Sequence, residues 1–241
     1  MAAEHAHIST NLAAVRGRLE RAARTADRDP ASIRLVAISK TFPIEAVRAA
    51  YAAGHRDFGE NRVQEALQKI EATSDLPLRW HLVGHLQTNK AKRAATVFHS
   101  IHSVDSLDLV QRLDRAAADA GASPEVLVQV DLAAEATKFG APESAVPAII
   151  GADLRAVRLS GLMLLPPYAE NPEDVRPFFR RVRELRDRLL HEGVPADRLR
   201  ELSMGMSHDF EVAIEEGSTM VRVGTAIFGE RRPLGDTENG R

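Results

Sequence analysis

The sequence predicts a closed (β/α)8 barrel with one additional helix before the first strand. Eight short β-branched or aliphatic runs alternate with longer stretches whose apolar residues recur three and four apart. Strands separated by helices pair in parallel through right-handed crossovers, and eight units in 241 residues suit a barrel. No Gly-x-Gly-x-x-Gly or Gly-x4-Gly-Lys-Ser/Thr loop follows any strand, which sets the doubly wound open sheet second.

In chain order, Ile8, Leu12, Val15, Leu19 and Ala22 give the opening helix, over about residues 4–26. The predicted strands are 34–40, 56–60, 79–84, 100–104, 126–131, 157–164, 201–206 and 220–228. Between them the helical pattern covers 43–53, 62–72, 88–98, 107–120, 142–150, 172–191 and 207–216. Pro43, Pro142 and Pro172 stand at helix starts, and Gly54, Gly121, Gly193 and Gly217 follow helix ends. No linker or shift in composition divides the chain, so residues 1–241 read as a single domain, with the barrel over 33–230 and a polar tail at 231–241.

Charge and composition exclude several classes of function. With 32 basic and 34 acidic residues the net charge is −2, whereas a nucleic-acid coat needs a basic face. The absence of cysteine removes disulfides, thiolate metal sites and cysteine nucleophiles. Glu4, His5 and His7 interrupt any secretory signal, and no run reaches the ~18 apolar residues of a membrane span. A cytoplasmic monomer without membrane or nucleic-acid partners is expected.

A parallel barrel presents its chemistry at the C-terminal ends of its strands. The first strand delivers Lys40 behind the buried run 35–38; the amine either snorkels into water or, partly desolvated, acts as a carbonyl nucleophile. The last two units carry Ser203, Gly205, Ser207, Gly224 and Thr225, small enough for backbone N–H groups to approach a phosphate. A helix beginning near Ser207 would add its dipole, although the same glycines also suit tight turns. Arg222 shares a face with Gly224 and, if inward, needs a ligand or a carboxylate such as Asp131 or Glu60. His81 and His85 lack a carboxylate at ligand spacing, so no metal is expected.

The segments 37–41 (AISKT), 58–65 (FGENRVQE), 80–90 (WHLVGHLQTNK), 161–163 (GLM), 202–211 (LSMGMSHDFE) and 221–229 (VRVGTAIFG) resemble the pyridoxal phosphate homeostasis proteins, in order along almost the whole chain. The resemblance implies a barrel like the N-terminal domain of alanine racemase, with pyridoxal 5'-phosphate (PLP) held as a Schiff base on Lys40. It further implies that Ser203, Gly224 and Thr225 hold the phosphate, that Arg222 faces the pyridine nitrogen, and that Asn61, His81 and Met163 line the ring. By the same likeness the protein carries PLP without catalysing a reaction, takes part in PLP homeostasis and delivers the cofactor to apo PLP-dependent enzymes. The stretch 133–140 is looser than the family pattern, and no role is assigned to Lys138.

Two other readings stay open on the residues. A PLP-dependent racemase would need a second base, for which Tyr168 after the sixth predicted strand is the candidate. A phosphate-sugar enzyme would use Lys40 as a Schiff-base lysine without a cofactor.

Overall fold

The computed structural model describes residues 5–132 and 139–230. Its strands are β1 (Arg34–Ile38), β2 (Asp57–Glu60), β3 (Arg79–Leu82), β4 (Ser100–Val104), β5 (Glu125–Asp131), β6 (Ala141–Pro142), β7 (Arg158–Leu164), β8 (Glu201–Ser203) and β9 (Met220–Val223). All pairings are parallel. The β4–β5 and β1–β9 pairings close eight strands into a ring, and the two-residue β6 lies beside β5 outside it. The barrel predicted from the alternating pattern is therefore the fold.

The helices are α1 (Ala6–Thr25), α2 (Ile44–Ala52), α3 (Val63–Ala72), α4 (Ala91–Val97), α5 (Leu107–Ala120), α6 (Val146–Ile150), α7 (Arg176–His191), α8 (Phe210–Glu215) and α9 (Thr225–Phe228). α1 buries Ile8, Leu12, Val15 and Leu19 and packs on α2, α8 and α9. Arg18 forks onto the Glu211 carboxylate, with both bonds at 2.7 Å, and Asn11 donates to the Ile227 carbonyl. These contacts tie the added helix to the end of the chain. α5 matches its predicted span because both stops are local: Ser106 Oγ accepts from the Leu109 N–H, and Gly121 closes the helix at φ 63°.

Four predicted strands end early: 34–40 stops at Ile38 and 79–84 at Leu82, each two residues short, and the last two fall shorter still. The strand expected over 220–228 stops at Val223, because the Ile227 and Phe228 N–H groups both turn back onto the Gly224 carbonyl and form α9. The strand expected over 201–206 stops at Ser203, since Gly205 takes φ 95° and a Cβ there would lie 2.7 Å from the Ala213 Cβ. The next helix starts at Phe210 rather than near Ser207, because Asp209 Oδ1 captures the Met206 N–H in a turn.

Strand residues alternate between two environments. Leu35, Ala37, Phe58, Trp80, Leu82, Ile101, Val128, Leu162, Leu202, Val221 and Val223 belong to the large apolar layer shared with the helices. The inward positions are different: Val36, Ile38 and Val83 form a separate small cluster, and Asp57, His81, His102, Gln129, Ser203 and Arg222 are buried.

Candidate functional site

At the C-terminal ends of the strands lies a cavity of about 590 Å³. Lys40, Asn61, Arg222, Gly224 and Thr225 line it, together with Phe42, His85, Ser207 and others. His81, Met163 and Ser203 do not reach its wall and are fully buried. They stand two residues before Val83, two before Leu165 and four before Ser207, all of which line the cavity. His81 and Met163, expected to flank a ring, and Ser203, expected at a phosphate, thus lie one layer beneath the residues that line the cavity.

Lys40 leaves β1 through a braced turn. Thr41 adopts φ 69°, an uncommon conformation for a β-branched residue, and its N–H donates to Glu65 Oε1 at 2.6 Å. Lys69 Nζ donates to the Ser39 carbonyl (2.7 Å), Glu60 (2.8 Å) and Glu65 (2.9 Å), while Ser39 Oγ donates to Glu60 at 2.6 Å. Burial pushes the Glu60 carboxyl up, against the pull of Lys69. Burial would also raise Glu65, but the Lys69 and Thr41 bonds hold it below its ordinary value. Glu60 is thus a brace behind Lys40 and not the partner of Arg222. A Cβ on Gly84 would come within 2.3 Å of the Asn61 carbonyl, so the β2 and β3 exits touch backbone to backbone.

Arg222 forms part of the cavity floor. Its Nη1 donates to Ser203 Oγ and its Nη2 to the Leu164 carbonyl, both at 2.7 Å. Among the described residues neither Asp131 nor Glu60 bonds to it, and burial lowers the guanidinium to about 10 although Asp209 acts to raise it. Behind Ser203 a row of buried groups continues: His102 Nδ1 at 2.9 Å from Ser203 Oγ, His81 Nδ1 at 3.1 Å from His102 Nε2, and Asp57 Oδ1 at 3.1 Å from His81 Nε2. Burial lowers both histidines, so both are neutral near pH 7. Asp57 also accepts from Arg79 at the opposite end of the barrel. Sequence reasoning passed over Asp57 and Lys69 and weighed His102 only as a metal ligand; inward parity on neighbouring strands was the signal that could have brought Asp57 and His102 together.

On the β9 side, Ser207 Oγ accepts from the N–H groups of Gly224 (3.2 Å) and Ala226 (3.4 Å). The Gly224 backbone and the Ser207 hydroxyl therefore share one wall, and no helix start at Ser207 is needed for it. Across the mouth, His85 stacks on Phe139 at 3.6 Å and approaches Asp105 at 3.6 Å. Tyr168 is 83% exposed and does not line the cavity, although it stacks on His208, which does. Among the described residues no cluster of His, Asp and Glu could hold a metal, and no helix is long and apolar enough to cross a membrane. Lys138 and the tail 231–241 lie outside the described residues.

Residues 10–232 match the family described as alanine racemase, N-terminal domain. Curated relatives named pyridoxal phosphate homeostasis protein include one from Aquifex aeolicus, 46% identical over 92% of this chain and 97% of its own length. Another, from Pseudomonas aeruginosa, is 47% identical over 93% of this chain and 96% of its own. Among solved structures, PipY of Synechococcus elongatus with PLP bound superposes with a TM-score of 0.81 at 42% identity, over 92% of this chain and 100% of that one. The alanine racemase of Streptomyces coelicolor shares the fold at a TM-score of 0.69 and 21% identity, over 93% of this chain and 58% of the racemase.

Proposed function

Since the chain belongs to the pyridoxal phosphate homeostasis protein family, we propose that its C-terminal cavity binds pyridoxal 5'-phosphate and that the protein holds and supplies this cofactor without turning over a substrate. One observation carries the reading: an amine (Lys40), neighbouring N–H and hydroxyl groups (Gly224, Ser207) and a guanidinium bonded to a hydroxyl and a carbonyl rather than a carboxylate (Arg222) belong to one cavity. PLP needs these three kinds of group: a primary amine for its aldehyde, donors for its phosphate and a partner for its ring nitrogen. Bound there, PLP supplies an aldehyde carbon to which the Lys40 amine adds reversibly with loss of water.

The chain's own residues determine how such a ligand is held. The Lys69–Glu60–Glu65 brace fixes the backbone on either side of Lys40, so the amine enters the cavity from a constrained turn. Gly224 keeps the wall near Ser207 open to an anion, and Thr225 and Asn61 add polar groups beside it. Ser203 acts through Arg222, because its hydroxyl oxygen is already engaged by the guanidinium. A guanidinium only donates, so a ring nitrogen facing it remains an acceptor and the ring is a weaker electron sink than one paired with a carboxylic acid. Tyr168, turned to solvent, is poorly placed to serve as the second base of a racemase. Delivery to apo PLP-dependent enzymes, a cytoplasmic location and a monomeric state go with this reading.

The test is the absorption spectrum of the protein with PLP before and after borohydride reduction, followed by peptide mass mapping. A reduced adduct on Lys40 is expected; no adduct after PLP addition overturns the reading. Delivery is tested separately: transfer to an apo-enzyme should outpace release into buffer, and transfer limited by free PLP removes that role. Deuterium exchange at the α-carbon of an amino-acid panel, above that of free PLP, would favour the racemase instead.

A further inference from the structure

We propose that Asp57, His81 and His102 are positioning residues for Arg222, forming with Ser203 a one-directional hydrogen-bonded row through the barrel that sets how the guanidinium faces the cavity. The inference builds on PLP binding only for its second readout.

The direction of the row is dictated by what each group can do. A guanidinium carries N–H donors and no acceptor, so Ser203 Oγ, 2.7 Å away, accepts. The serine hydrogen then has His102 Nδ1 in front of it at 2.9 Å, which makes that nitrogen the acceptor and places the His102 hydrogen on Nε2. That hydrogen points at His81 Nδ1, 3.1 Å away, and so places the His81 hydrogen on Nε2, facing the Asp57 carboxylate at 3.1 Å. The opposite polarity would turn a His81 lone pair onto a carboxylate and leave the Ser203 hydrogen without an acceptor. Both ends therefore demand the same arrangement.

Every member from Asp57 to Arg222 is buried, and neither histidine lines the cavity. The row begins at a cation and ends at an anion, with each hydrogen directed toward the anion, so each bond polarises the next. With Ser203 Oγ held by the row and the Leu164 carbonyl fixed in β7, both Nη atoms of Arg222 are anchored, and the guanidinium plane cannot rotate at the cavity floor. Asp57 is in turn held by Arg79, which is half-exposed at the far end of the barrel. The orientation of a cavity group is thus set from the opposite face of the protein.

The first measurement needs no ligand: nitrogen NMR of ring-labelled histidine in the full chain. His81 and His102 should both be neutral Nε2–H tautomers across about pH 6 to 8, the range in which an ordinary histidine titrates. A hydrogen on Nδ1 of either one overturns the row. The second measurement uses Asp57→Asn, nearly identical in shape. It should weaken PLP binding about tenfold, the low end of what one hydrogen bond to a charged group supports. It should also move the absorption of the Lys40 adduct in the same direction as Arg222→Lys, with no further change in the double variant. A folded Asp57→Asn protein with wild-type affinity and absorption overturns the positioning role. If Asp57→Asn does not fold, the wild-type tautomers decide alone. If the wild type forms no adduct, the PLP reading fails while the tautomers still test the row.

Discussion

The layer between strands and helices and the space enclosed by the strands are built from opposite materials. Outside the strands, Phe58, Leu82, Leu113, Phe179 and their neighbours form one continuous apolar layer. Inside, the apolar residues are fewer, namely the Val36, Ile38 and Val83 cluster together with Leu127, Met163 and Met220, and the remaining positions include an acid, two histidines, a serine and an arginine. Apolar burial stabilises without direction, while buried polar groups cost free energy unless each finds its partner. The outer layer therefore carries the stability of the barrel, and the inner one is arranged for its mouth.

Substitutions can break or sharpen that contrast. The largest effect is expected in the outer layer: Phe179→Ala should cost about 3–5 kcal/mol in denaturant unfolding while the folded fraction still forms the Lys40 adduct. A loss below about 1 kcal/mol would mean that the layer is not the main support. Lys69→Met strips the buried Glu60 of its cation and should cost about 3 kcal/mol at neutral pH. Because burial already raises the Glu60 carboxyl, that group takes up a proton as the pH falls, so the loss should shrink in acid. A loss independent of pH would assign the effect to packing alone.

The wild type should respond to acid in the opposite sense. His55, lowered by burial to about 4, and the similarly lowered His81 and His102 are neutral when folded but charge near pH 6.5 when unfolded. For a base whose folded pKa is depressed, stability is complete above the unfolded value and is lost as the pH falls toward the folded one. Each of the three then contributes a slope of up to about 1.4 kcal/mol per pH unit below pH 6.5. Denaturation midpoints that stay level between pH 7 and pH 5 would contradict the burial of these rings. The smallest effect on stability is expected at a cavity residue, Arg222. Arg222→Met exchanges a desolvated charge for an apolar chain and should leave the melting temperature within a few degrees while PLP retention drops. A large loss of stability there would make the interior structural after all.

The barrel was legible because periodicity reports burial, and burial alternates regularly in this fold. Pro43 and Pro172 at helix starts and Gly121 at a helix end behaved as local chemistry dictates. The site was legible in face but not in depth. Lys40, Asn61, Arg222, Gly224 and Thr225 reach the cavity, whereas His81, Met163 and Ser203 sit a layer below, since two residues along a strand amount to about 6.6 Å. Which layer forms the mouth depends on the stagger between neighbouring strands, and no single strand encodes that stagger. Lys69 was hidden for another reason: on a helix pattern it reads as a surface lysine, and only the approach of α3 to the β1 exit buries it.

The pairing that closes the ring joins Arg34 to Met220 and Ala37 to Val223, nearly the full length of the chain apart. During synthesis β1 consequently remains an open edge until β9 leaves the ribosome, an interval on the order of ten to forty seconds at typical elongation rates. For the same interval α1 has neither α8 nor α9 to cover its apolar side. The opening helix and first strand thus wait for the last strand and its flanking helices, and the nascent chain offers a chaperone a strand with one open edge and a helix only partly covered.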